Sequence, residues 1–131
     1  MRFRDSFWFL SNMYPHPVMF EGVTYPCAET AFQAAKCADV AKRAAFESLN
    51  GFDARKLGRT VTLRADWDEV RVDIMSEILE NKFSDPRLLA RLRRIEGTIA
   101  EDNTWGDTFW GVCRGRGHNV LGRFLMEIRD R

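Results

Sequence analysis

The stretch "CAETAFQAAK", residues 27–36, puts a carboxylate, an amide and an amine at helical intervals. At 100° per residue, Glu29 and Lys36 fall about 20° apart on a helical wheel and about 10 Å apart along the axis, with Gln33 between them along that axis. Two readings fit. The stripe, which Arg43 and Glu47 continue, is the wetted face of an amphipathic helix. Alternatively it aims an acid and an amine into a site. Glu29 would stand in the first turn, where the helix dipole favours an ionised carboxylate.

Three further pieces could carry chemistry. "WGDTFWG", residues 105–111, surrounds Asp107 with Trp105, Phe109 and Trp110, a set suited either to core packing or to a flat ligand beside developing positive charge. "RGRGHNVLG", residues 114–122, joins Arg114 and Arg116 to Gly115 and Gly117, with Asn119 placed to cap a following helix. Backbone amides at such a helix start suit a phosphate, and a basic surface turn explains the piece equally well. Its spacing is neither GxGxxG nor a P-loop. "FLSNMYP", residues 9–15, sets Ser11 and Asn12 between aromatic residues, as turn chemistry alone would.

The totals narrow the chemistry. Two histidines, His16 and His118, make no zinc spacing, and a histidine base is not expected, so carboxylates and lysines are the available catalysts. Cys27, Cys37 and Cys113 are odd in number and lack CxxC spacing, so reduced thiols and a cytoplasmic setting are expected, with no metal. A net charge of +1 gives no general pull toward nucleic acid or membrane, although "RLRR" at 91–94 and the 113–123 segment are locally basic. Met1 to Asp5 run straight into aromatic residues, so no leader peptide is expected, and no apolar run reaches a membrane span.

These residues need elements to position them. The 131 residues, 45% hydrophobic and 30% charged, fit one helix-rich α+β domain over 1–131 with a few short strands. Prolines 15, 17 and 26 exclude helix from the opening segment, which reads as extended pieces with a hairpin tip at Glu21-Gly22. A long helix is predicted from Ala28 to about Leu49, ended by Asn50-Gly51, then a turn at Gly58 and a short strand over 61–63. Asp66 should cap a helix over 67–81 with an apolar stripe of Val70, Ile74, Ile78 and Leu79, and Asp85-Pro86 should start another to 94. A final helix is predicted over 120–129.

Taken in order, "FLSNMYP", "VTYPCAETAFQAAK", "LGR", "DWDEVRVDIM", "NKF", "GTIAE", "DTFWGV" and "GRGHNVLGRFLMEIR" resemble the NADAR family, named for NAD and ADP-ribose. The series covers nearly the whole chain. The resemblance implies one α+β domain and hydrolysis of an N-glycosidic bond, with no cofactor. The implied substrate is an ADP-ribose conjugate, chiefly ADP-ribosylated guanine in DNA, RNA or nucleotide. Phosphorylated riboflavin intermediates and a non-catalytic ADP-ribose or NAD-binding module are the alternatives. No membrane partner is implied.

The resemblance also turns the opening motif toward the site reading. Glu29, Lys36 and Asp107 become candidate catalytic residues, and Asn12 and Trp110 match family motifs. Gln33, Arg59, Trp67, Trp105, Arg116, Gly117 and Asn119 are candidates for substrate binding, the arginines for phosphates and the tryptophans for stacking. Two departures stand out: many members carry histidine at the position of Thr30, and serine or threonine at that of Cys27.

Overall fold

The computed structural model describes residues 1–131. It is α+β and helix-rich, with two short two-stranded sheets. Two compact units share the chain: Asn12–Lys82, and Met1–Ser11 together with Phe83–Arg131.

The unit Asn12–Lys82 begins with an antiparallel hairpin, β1 (Val18–Phe20) and β2 (Val23–Tyr25), in which Val18 faces Tyr25. Glu21 and Gly22 form its tip, both at positive φ (47° and 82°), as a tight two-residue hairpin turn requires. Helix α1 follows over Ala28–Ala35, and all eight of its residues are buried. This excludes the wetted-face reading of the stripe, and the helix is shorter than expected.

The helix stops fourteen residues early because an alternative partner takes its backbone. The Lys36 carbonyl accepts from the Arg64 amide at 2.9 Å, the Ala38 amide donates to the Thr62 carbonyl, and Cys37 bridges Leu63. The strand expected over 61–63 exists only as that bridge. Asp39 then caps a 3-10 helix over Val40–Phe46. Arg43 and Glu47 therefore do not continue the stripe of α1.

Asn50-Gly51 starts a helix where a stop was expected. The Asn50 side chain accepts from the Asp53 amide at 2.9 Å, opening α2 over Gly51–Gly58. Its buried face is Gly51, Ala54 and Gly58, a seam of small side chains that lets α2 lie close against α1. Helix α3, Trp67–Lys82, packs on α1 and β1. Asp66 gives its carboxylate to the Arg64 guanidinium through two bonds (2.6 and 3.0 Å). Phe20, Tyr25, Phe46, Met75, Ile78 and Leu79 are almost wholly enclosed, each large apolar side chain contributing on the order of 2 kcal/mol.

The other unit opens with a 3-10 helix over Asp5–Leu10, where an extended piece was expected. Helix α4, Pro86–Arg93, is capped by Asp85, whose carboxylate accepts from the Arg87 amide at 2.8 Å, with proline in the first turn as anticipated. Strands β3 (Asp102–Asn103) and β4 (Val112–Cys113) pair in parallel, and α5 spans Val120–Arg129 as predicted. Leu92, Ile99, Leu121 and Leu125 form the core of this unit. No helix of the chain is long and apolar enough to cross a membrane.

Candidate active site

In the unit Asn12–Lys82, the charged and polar residues of α1 converge on α2. Glu29 is 6% exposed, and its Oε1 accepts two hydrogen bonds, from Gln33 Nε2 at 2.9 Å and from Arg55 Nε at 3.1 Å. Its Oε2 carries neither bond. The four-residue offset from Glu29 to Gln33 brings the two side chains together one turn apart. Arg55 reaches the same oxygen because its neighbour Ala54 lies on the small-residue seam of α2. At Gly58 an added Cβ would strike the Gln33 carboxamide oxygen, so only glycine admits this arrangement.

Lys36 stands at the C-terminal end of α1 and is half-buried. Burial lowers its amine pKa below the ordinary lysine value, the nearby Glu29 carboxylate opposes the shift, and the Arg59 and Arg55 guanidiniums add to it. The ammonium lies 6.0 Å from the Trp67 ring, which itself tilts against Phe32 at 5.0 Å. Asn12 joins through the backbone, its carbonyl accepting from the Glu29 amide at 2.9 Å. Its side-chain Nδ2 points at the Met75 sulfur, and its Oδ1 is buried without a hydrogen bond. Of the residues singled out in the sequence, this unit thus gathers Asn12, Glu29, Gln33, Lys36, Arg59 and Trp67, and adds Arg55.

The remaining candidates belong to the other unit. Asp107 Oδ1 accepts the amides of Phe109 (3.1 Å) and Trp110 (3.0 Å), bracing its own loop. The buried Asn103 side chain clamps that loop from beneath, through the Asp107 carbonyl and amide. Trp110 is half-buried with its ring edge-on to Phe109 at 4.9 Å, whereas Trp105 is 65% exposed. Arg116 is exposed at the end of a tight turn whose central residues, Arg114 and Gly115, have φ of 53° and 76°. Gly117 presses against the Gly111 carbonyl, where a Cβ would not fit.

Asn119 does not cap α5 in the expected way. It has left-handed backbone angles (52°, 44°), and no bond runs from its side chain to the helix amides. The carboxamide instead ties the loop before β3, donating to the Ile99 carbonyl at 2.9 Å and accepting from the Glu101 amide at 3.3 Å. An asparagine in that backbone conformation turns its side chain away from the helix it precedes.

The NADAR domain model matches residues 2–131. The chain belongs to the NADAR family. It is similar to N-glycosidase YbiA of Escherichia coli (strain K12), 31% identical over 96% of this chain and 82% of that one. The solution NMR structure of the E. coli protein YbiA matches with a TM-score of 0.84 at 30% identity, over 99% of this chain and 82% of the other. A riboflavin biosynthesis protein of Vibrio vulnificus (strain YJ016) is 33% identical over 96% of this chain, and the chloroplastic riboflavin biosynthesis protein PYRR of Zea mays is 30% identical. The chain spans 36% and 23% of the length of those two relatives.

Both departures from the NADAR motif have local explanations. Thr30 is wholly buried, its hydroxyl donating to the Leu49 carbonyl at 2.8 Å and lying 3.3 Å from the Cys27 sulfur. It tethers the segment leading into α2. Cys27 makes no side-chain cap to α1, consistent with the poor capping capacity of a thiol.

A second residue of this NADAR chain, besides Arg55, escaped the reading of the sequence. Lys82, in the "NKF" piece, is 1% exposed, and burial lowers its pKa to about 7. Its ammonium lies 5.8 Å from the Tyr14 ring. A signal was present: Lys82 continues the Ile74–Ile78 stripe by one further turn, so it falls on the buried face of α3. A lysine there is desolvated, and desolvation makes an amine nucleophilic.

Proposed function

We propose that this chain is an N-glycosidase, a hydrolase of ribosyl–base bonds, and that its preferred substrate is ADP-ribose joined to guanine in nucleic acid or nucleotide. The observation that carries the reading is Glu29: a buried carboxylate with Oε1 fixed by Gln33 and Arg55 and Oε2 left unbonded. Cleaving a ribosyl C1–N bond builds oxocarbenium-like charge on the sugar. A positioned carboxylate oxygen stabilises that charge or takes a proton from the attacking water. The base leaves with its bonding pair and a proton, and water supplies the hydroxyl at C1. Water is the only co-reactant.

A lysine route uses the same residues differently. As the ribose ring opens, C1 becomes an iminium to the base; a neutral lysine amine adds there, the base departs with its bonding pair and a proton to leave a lysine imine, and water hydrolyses that imine to free the sugar aldehyde and the amine. Lys82 and Lys36 both have lowered pKa values, and Lys82, at about 7, holds a large neutral fraction near neutrality. Within the unit Asn12–Lys82, Arg59 suits a phosphate and Trp67 a ring; in the other unit, Arg116 and Trp110 carry the same chemistry. Asp107, with Oδ1 committed to its loop, serves chiefly to shape the tryptophan segment. A cytoplasmic setting suits three unpaired cysteines.

A second reading keeps the bond and changes the substrate to a phosphorylated riboflavin precursor. It is favoured by two relatives named as riboflavin biosynthesis proteins. A non-catalytic reader of ADP-ribose is the third. Mass spectrometry after incubation with ADP-ribosylated guanine (as oligonucleotide and nucleoside), riboflavin intermediates and NAD distinguishes them. Release of guanine with free ADP-ribose is expected. Turnover of the riboflavin precursor alone selects the second reading, and binding of ADP-ribose with no turnover selects the third. Borohydride in the same reactions links sugar to protein only if a lysine imine forms.

A further inference from the structure

A pocket of about 220 Å³ lies between the β1–β2 hairpin and the 3-10 helix over Val40–Phe46. Glu21, Val23 and Tyr25 line it from the hairpin, and Val40, Arg43 and Glu47 from the 3-10 helix and its C-cap. None of the candidate site residues lines it. It is smaller than the roughly 300 Å³ at which pockets for drug-sized ligands begin, so its ligand is a small one.

Two donors in the lining have nothing to bond. The Tyr25 hydroxyl and Arg43 Nε are both enclosed without a hydrogen-bond partner, in residues 1% and 6% exposed. Nearly all buried polar groups are paired, and two orphans lining one pocket point to an acceptor that completes them. Burial raises the Tyr25 pKa, so its hydroxyl keeps the proton and donates at neutral pH. Arg43 is fixed in place: Nη1 donates to Glu21 Oε2 at 3.0 Å, and the guanidinium carbon lies 5.5 Å from the Phe20 ring centroid.

Charge decides what carries the acceptor. Arg43 is matched by Glu21, and the exposed Glu47 carboxylate adds a second negative charge with no cation paired to it. A ligand with a carboxylate alone would enlarge that excess. A ligand with an amine alone would leave both donors unspent. An α-amino acid answers both: its carboxylate accepts from Tyr25 and Arg43, and its ammonium faces Glu21 and Glu47. Val23 and Val40 then meet an aliphatic side chain. Glu21 and Val40 are exposed, so their side chains have room to swing aside as the ligand enters.

We propose that this pocket binds a small aliphatic α-amino acid, carboxylate inward.

The test is an NMR titration of isotope-labelled protein with valine, with isovalerate (the carboxylate and side chain alone) and with isobutylamine (the amine and side chain alone). Valine is expected to shift the amides of residues 21–23 and 40–47, and to bind at least about tenfold tighter than either half. Tyr25→Phe keeps the ring and should weaken valine about tenfold, with its spectrum checking the fold. Glu47 is exposed, so Glu47→Gln leaves the fold intact. It should weaken valine about threefold and spare isovalerate. No shift with any of the three means a pocket that holds water only, and overturns the proposal. So does isovalerate or isobutylamine binding as tightly as valine, or a valine affinity that either variant leaves unchanged. The titration reads binding without turnover, so its outcome is independent of the proposed glycosidase.

Discussion

Gln33 Nε2 donates to Glu29 Oε1 at 2.9 Å, and that bond fixes which carboxylate oxygen of Glu29 remains available. Gln33→Leu removes the donor while keeping a side chain of similar size. The expected result is a fall in kcat of about tenfold with little change in KM, since the carboxylate loses its orientation while the binding contacts remain. Steady-state kinetics against the cleaved substrate read both constants. An equal change in KM would make Gln33 a substrate contact instead.

Arg55 is the charged partner of the same oxygen, and its side chain is 44% exposed against 8% for Glu29. Arg55→Ala leaves a buried carboxylate with its amide donor alone. Solvent screening of the arginine moderates the penalty, so a loss of roughly 1–2 kcal/mol is expected in urea denaturation. Loss of the guanidinium also removes a cation that depresses Lys36, and the Lys36 pKa should move up toward its ordinary value.

Gly58→Ala sets a methyl group against the Gln33 carboxamide oxygen. Helix propensity alone would favour alanine here by about 1 kcal/mol. The contact reverses the sign: the variant should melt lower than wild type and show impaired turnover, since Gln33 must move. A stabilised and fully active variant would mean that α2 lies farther from α1 than described.

Lys82 sets stability against pH. Its folded-state pKa, about 7, lies below the ordinary 10.5, so between those values the unfolded chain holds the extra proton. Stability should therefore rise with pH through that window, and the penalty should be fully present below about pH 7. Lys82→Met keeps the volume and removes the buried amine. It is expected to raise Tm at pH 7 by a few degrees and to flatten the pH dependence, measured by thermal melts at several pH values. If Lys82 is also the amine that captures ribose, the same variant loses the borohydride-trapped adduct. Lys36→Met then keeps it.

Local chemistry was legible wherever it decided the structure. The Glu21-Gly22 tip and the Asp85-Pro86 helix start follow from turn and capping residues near in sequence, whereas α5 spans the expected residues although Asn119 does not cap it. What the chain hides is competition from distant partners. Nothing within residues 36–49 signals that backbone groups near Lys36 pair with residues 62–64, and that pairing ends α1. The same event separates Arg43 and Glu47 from the stripe, leaving Glu29 and Gln33 buried rather than wetted. Arg55 was invisible as a site residue because its role depends on the close approach of α2, which the spacing of Gly51, Ala54 and Gly58 permits but does not announce. Lys82 was legible in principle as a lysine on an apolar stripe.

The Glu29 carboxylate is the proposed chemical participant. Glu29→Gln keeps shape and hydrogen-bonding capacity while removing the charge. Single-turnover release of guanine from an ADP-ribosylated oligonucleotide, with ADP-ribose affinity measured in parallel by calorimetry, addresses it directly. Release at least about a hundredfold slower, with affinity within a few-fold of wild type, is the predicted result. Release at the wild-type rate by a folded Glu29→Gln protein would contradict it.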